Sequence, residues 1–175
     1  MTEKRIPDPT LMARLQLSAK GVDWAASLTA HRQHEQPNGE WSAHQHVFHL
    51  LAVERAVHRP RAERMVAVDS PSFTDWDQDA HMRNGYSKAQ DVAELAEEFM
   101  RERERTFEFF KSLAPAQWAR RGSWPEIGPV DVAWVAERAV AHALDHFKAL
   151  LWVHEELERF HAVQWGWRPG GSTGQ

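Results

Sequence analysis

With 175 residues, 42% of them apolar and 26% charged, the chain has ordinary globular composition and enough length to bury a core without cross-links. A net charge of -4 and a sequence pI near 6.2, with acids interleaved among the basic residues of the run from Arg101 to Arg105, argue against a nucleic-acid partner. The absence of cysteine excludes disulfides, thiolate ligands and a protein-borne thiol nucleophile.

No stretch approaches the roughly 18 apolar residues of a membrane span. The N-terminal segment has no apolar run behind its charges, so it does not read as a signal peptide. A cytoplasmic protein is expected, with one helical domain over residues 1–165 and a disordered tail over 166–175, where glycine is frequent.

Four segments carry helical periodicity, and none alternates as a strand. The first runs from about Thr10 to Gln33, with Leu11, Leu15, Val22, Ala25 and Leu28 on its apolar side. Turn residues from Gln36 to Glu40 end it. The second opens at Ser42, where Gln45 three residues on completes a capping box, and continues until Pro60 stops or kinks it. Residues 60–86 read as irregular, a connection long enough to cross the bundle from end to end. Ser87 is placed to cap the third helix, about Lys88 to Leu113, with Val92, Leu95, Phe99, Met100, Phe107 and Phe110 inward. Pro115 closes it, a short turn follows over 116–119, and residues 122–129 form a loop. The fourth helix runs from near Val130 to about His161, with Asp131 at its positive end. The fold expected is all-α, a four-helix bundle with a long crossover between its second and third helices.

The chain has 11 histidines and 9 tryptophans. Tryptophan packs at bundle ends and interfaces, and the exposed aromatic surface is compatible with a homodimer. Two histidines, His142 and His146, stand four residues apart in the fourth helix, on one face and about 40° apart. They share that face with Val135, Ala139, Ala149 and Val153, and a bare buried imidazole is unfavourable, so the pair needs hydrogen-bond partners or a metal ion. A third ligand can come from the second helix, where periodicity alone leaves both His46 and His49 open. Other patterns fail: no glutamate follows His142 as in a zinc protease, the paired Glu-x-x-His motifs of a di-iron bundle are missing, and there is no phosphate loop or serine elbow.

Two segments carry a family resemblance. Trp41 and Ser42, His49 and Leu50, and Glu54 follow the spacing W-S-x-x-E-x-x-x-H-L-x-x-x-E, while Gly128 to Val132 followed by His142 and His146 resembles a fourth-helix entry and its H-x-x-x-H. The crossover residues Asp77 to Ala80 and Asn84 to Tyr86 fit the same pattern. The chain resembles the DinB/YfiT-like superfamily of metal-binding four-helix bundles over about residues 10–160. The resemblance implies a ligand triad of one histidine on the second helix and two on the fourth, which falls on His49, His142 and His146. Gln45 stands where many members have glutamate, and Asp145 where a small or basic residue is common. Neither is a ligand in the family pattern.

Three neutral imidazoles leave a divalent ion, such as zinc, nickel or iron, with open positions for a small-molecule substrate. The resemblance implies a metal-dependent enzyme, either a hydrolase or a transferase or isomerase that uses an external low-molecular-weight thiol of the mycothiol or bacillithiol kind. The alternative is a non-catalytic stress-response or binding protein with a structural or vestigial metal site, closed by His46 or Glu54 as fourth ligand. As helpers the sequence offers Glu54 and Asp145 as base or ligand-orienting carboxylates, with Tyr86 as a hydrogen-bond donor. Arg138, one turn before His142, can meet an anionic substrate or cofactor. Each has a simpler reading: a surface ion pair for Glu54 and Arg138, packing for Tyr86.

Overall fold

The computed structural model describes residues 8–164, so the expected tail lies outside the described residues. Its frame is the expected four-helix bundle. Helix α1 (Leu11–Ser27) packs on α5 (Val92–Lys111) and α7 (Val132–Gln164), and α2 (Ala43–Val53) packs on the same two. Leu11, Leu15, Val22 and Ala25 of α1 are buried as the periodicity requires. The helix ends at Ser27, earlier than expected, and a short 3-10 turn over Ala30–Arg32 takes up the rest.

The start of α2 is as read. Ser42 accepts from the Gln45 backbone, and the Gln45 side chain accepts from the Ser42 N–H, closing the capping box. Pro60, however, does not stop the helix. A π turn over Glu54–His58 precedes it, and α3 (Arg59–Ala67) continues beyond. Proline cannot donate to the carbonyl four residues back, at Ala56, and its ring presses on that carbonyl. Widening the preceding turn by one residue relieves both problems.

The crossover is therefore shorter and more ordered than expected. The irregular part reduces to residues 68–77, followed by α4 (Gln78–Gly85), which Asp77 caps through Ala80 N–H. The cap of α5 is Asp91, in a reciprocal box with Glu94, and not Ser87, whose hydroxyl accepts from Ala89 N–H. Beyond α6 (Pro115–Trp118), the expected loop is a two-stranded antiparallel hairpin of β1 (Arg121–Trp124) and β2 (Gly128–Asp131). A Cβ at Gly122 would lie 2.9 Å from Met65 and Phe73 side-chain atoms and 3.0 Å from the Pro71 carbonyl, so only glycine allows the hairpin this close to α3 and the crossover. Asp131 accepts from Trp134 N–H at the start of α7.

The buried apolar residues form two clusters. One gathers Val22, Val47, Leu50, Leu95, Phe99 and Leu150; the other gathers Leu11, Leu15, Met65, Phe110, Val135 and Ala139. Between them in chain order on each helix come Ser18, Glu54 and Arg103, all buried. A polar layer thus divides the core, and the functional site sits at its level. No helix of the described residues is long and apolar enough to cross a membrane.

Candidate metal centre

His49 is held on the inward side of α2 between the buried Leu50 and Val47, while His142 and His146 project from successive turns of α7. Their ring nitrogens converge. The Nε2 atoms of His49 and His142 are 3.2 Å apart, as are those of His142 and His146, and the ligand atoms of all three lie within 4.8 Å of one another. Two nitrogens bound at about 2.05 Å to a tetrahedral ion stand about 3.3 Å apart, so the spacing fits one divalent ion. Among the described residues this is the one group of three or more histidines and carboxylates so arranged.

The environment keeps the imidazoles in the neutral, ligating form. Burial pushes His49 down to about 3, helped by the neighbouring His146 and His46. Burial likewise brings His146 to about 4, against the opposing charge of Asp145, and lowers His142 together with the charge on His58. The indole of Trp41 covers the group from one side, with ring centroids 5.3 Å from His49 and 6.4 Å from His146. The tryptophan next to the α2 cap is thus a wall of the site.

His46, the competing ligand by periodicity, takes another place. Its Nδ1 lies 2.9 Å from Nδ1 of His146, on the side of that ring away from the triad. One of the two nitrogens carries the proton. For His146 to keep its Nε2 lone pair free, the proton must sit on its own Nδ1 and His46 must accept. The corresponding Nδ1 of His49 is buried without a partner.

Glu54 lies in the polar layer, 1% exposed, and both its oxygens accept from Arg103, from Nε at 3.1 Å and from Nη2 at 2.9 Å. Burial would raise its carboxyl, but the Arg103 guanidinium and His58 outweigh that and hold it ionised. Arg103 also donates to Ser18 Oγ and to the Ala139 carbonyl, tying all four bundle helices together. His58, which sequence reasoning did not single out, has Nδ1 3.4 Å from Glu54 Oε2 and its ring edge-on to His142 at 5.5 Å. Asp145 is exposed and paired with Lys148 at 3.5 Å. Tyr86 is turned from the triad: its hydroxyl meets His44 Nδ1 at 2.9 Å, while His44 Nε2 is 2.9 Å from the Gln90 carbonyl.

A cavity of about 140 Å³ opens beside the triad. His49, His142 and His58 line it together with Arg61, Trp76 and Arg138. Neither His46 nor Glu54 belongs to the converging group, so among the described residues no fourth protein ligand closes it. A larger depression, about 540 Å³, lies at the far end of α7 around Glu156 and Phe160, with none of these residues in it.

Comparison with known proteins bears on the fold and the family. The structure of YfiT from Bacillus subtilis, described as a probable metal-dependent hydrolase with an unusual four-helix bundle topology, superposes with a TM-score of 0.75, covering 96% of this chain and 94% of that one at 17% identity. A DinB-like protein of B. subtilis, YjoA, gives 0.57 over 85% and 92% at 14% identity. At these identities the likeness establishes the fold. A segment is 26% identical over 86 residues to an inorganic pyrophosphatase of Agrobacterium fabrum, taking in 49% of this chain and 40% of that protein's length. The profile of the DinB superfamily matches residues 17–150, the stretch that contains the capping box, the polar layer and all three converging histidines; the chain belongs to the DinB superfamily.

Proposed function

We propose that this protein is a metal-dependent enzyme in which His49, His142 and His146 hold one divalent ion, zinc, nickel or iron, and a small-molecule substrate enters the adjoining cavity. One observation carries the reading: three neutral imidazoles converge at ligand spacing beside a cavity, with no fourth protein ligand among the described residues. A structural ion is normally enclosed by four protein ligands, so the open side favours catalysis over a purely structural site. A bound ion of this kind lowers the pKa of a coordinated water or thiol and polarises a carbonyl or phosphoryl oxygen.

The chain's own groups then do the rest. Trp41 keeps water from the buried side of the ligands. Glu54 acts through Arg103 and His58, fixing where α2 and α7 meet. Asp145 favours positive charge at His146 from outside, and Tyr86 braces His44 and the crossover. The descriptions of YfiT and of the A. fabrum relative both name hydrolysis, which makes water the first nucleophile to test. The superfamily's thiol transferases make an external thiol the second, since the chain has no cysteine of its own.

The test is metal content per chain by plasma mass spectrometry on untagged protein. Wild type should hold one equivalent, and His49→Ala, His142→Ala and His146→Ala should each hold almost none. The loaded protein is then assayed for pyrophosphate hydrolysis and for conjugation of bacillithiol or mycothiol to an electrophile. A wild type that takes up no metal at pH 7.5 would overturn the reading.

A further inference from the structure

The cavity beside the triad carries a charge pattern that the metal ligands do not explain. Arg138 lines it one helical turn before His142, yet makes no hydrogen bond or ion pair with any described residue. Arg61 lines it from α3 and is held in place: its guanidinium lies over the Trp124 ring at 4.3 Å and donates to the Thr74 carbonyl at 2.7 Å. Against these two cations the lining offers one carboxylate, Asp75. With the histidines neutral, the wall has an excess positive charge even before an ion adds its own. A 9%-exposed arginine fixed on an indole and an unpaired arginine in one cavity with two of the triad histidines is an arrangement suited to a group with several acceptor oxygens.

Size narrows the class. At about 140 Å³ the cavity is well below the roughly 300–1,000 Å³ of pockets that enclose whole drug-sized ligands. It takes a small anion or the anionic head of a longer molecule. We propose that the substrate of this site carries an oxyanion group, phosphoryl or carboxylate, that binds between Arg138 and Arg61 beside the histidine triad. The proposal rests on the reading of this cavity as the substrate pocket, but its anion-binding part depends on the two arginines alone. Trp76, whose ring is 5.9 Å from that of His49, gives the remainder of the molecule an apolar shelf.

Titration calorimetry with inorganic phosphate and with acetate tests it, on the full chain in metal-free and metal-loaded form, for wild type and Arg138→Gln. Arg138 is exposed and has no partner to lose, so the substitution leaves the fold and the metal content intact. We expect wild type to bind phosphate, more tightly when loaded, and Arg138→Gln to bind it about tenfold more weakly in both forms, as befits a lost charge-assisted contact. Arg138→Lys should restore part of the affinity. Phosphate favoured over acetate identifies a phosphoryl substrate, and the reverse a carboxylate. Equal binding by wild type and Arg138→Gln, or no anion binding in either form, overturns the proposal. Failure to load metal counts instead against the metal centre, and the metal-free arm still decides the pocket.

Discussion

Removing one partner of the Arg103–Glu54 pair should destabilise the protein far more than removing both. Both side chains are essentially buried, at 1% exposure each, and joined by two hydrogen bonds near 3 Å. Arg103→Met leaves the Glu54 carboxylate in the polar layer with no full positive charge beside it, only His58 at 3.4 Å and the Thr106 hydroxyl. Glu54→Leu leaves a guanidinium facing Ser18 and a helix carbonyl that is already bonded. Breaking a buried ion pair from one side typically costs about 3–5 kcal/mol. Against a total stability of about 5–15 kcal/mol that is a large share, and for a chain of this length it lowers Tm by roughly 6–20 °C. The double variant Glu54→Leu/Arg103→Met removes both charges together, and Ser18 stays satisfied through the Leu15 carbonyl. It should lie within about 2 kcal/mol of wild type, so the coupling energy reaches about 4 kcal/mol or more. Urea unfolding of the four proteins at pH 7.5, metal-free, measures it. Additive single effects, or singles that each cost under about 1 kcal/mol, would refute the account of the polar layer.

Two more predictions concern the histidines. If His46 fixes the tautomer of His146, His46→Ala should weaken metal binding by about 10–100-fold without abolishing it, and His46→Asn, whose amide oxygen can still accept, should recover much of the loss. Competition against a chelator of known affinity reads the change, and equal affinity for all three proteins would count against the role. The pH prediction follows from burial, which depresses His49 and His46 to about 3 and His146 to about 4, below the usual 6.5 of an unfolded chain. Between these values the unfolded state binds more protons, so stability is complete above about pH 6.5 and lost as pH falls toward 4. Each such histidine contributes up to about 1.4 kcal/mol per pH unit. Urea midpoints of metal-free protein should fall steadily from pH 7 to 5, and a flat profile would contradict the neutral, buried triad.

The bundle was legible because its signals are local. The Ser42 box, the apolar stripes and the turn residues from Gln36 to Glu40 each depend on a few adjacent positions. The misreadings came where a distant contact decides. Pro60 stops most helices, but here a π turn absorbs it, and nothing in the residues from Glu54 to His58 announces that turn. Gly122 reads as loop until Met65, Phe73 and Pro71 close around it. For the site, spacing placed His142 and His146 together, and only the family resemblance chose His49 over His46.

The polar layer was the larger omission, although a signal for it existed. Arg103 lies in a run of alternating charges that suggests a solvated face. Yet Phe99, Arg103, Thr106 and Phe110 repeat at intervals of four, three and four residues, the spacing of one buried stripe. A charge on such a stripe requires a partner of opposite sign on a facing helix. In this chain Glu54 answers it, from just beyond the apolar part of α2. The same π turn that carries the helix past Pro60 begins at Glu54 and ends at His58. It puts the carboxylate toward Arg103 and the imidazole toward His142. The device that defeats a local reading of Pro60 is therefore also what joins the buried ion pair to the metal site. This explains why the resemblance could mark Glu54 as part of the motif while its role depended on Arg103, 49 residues away.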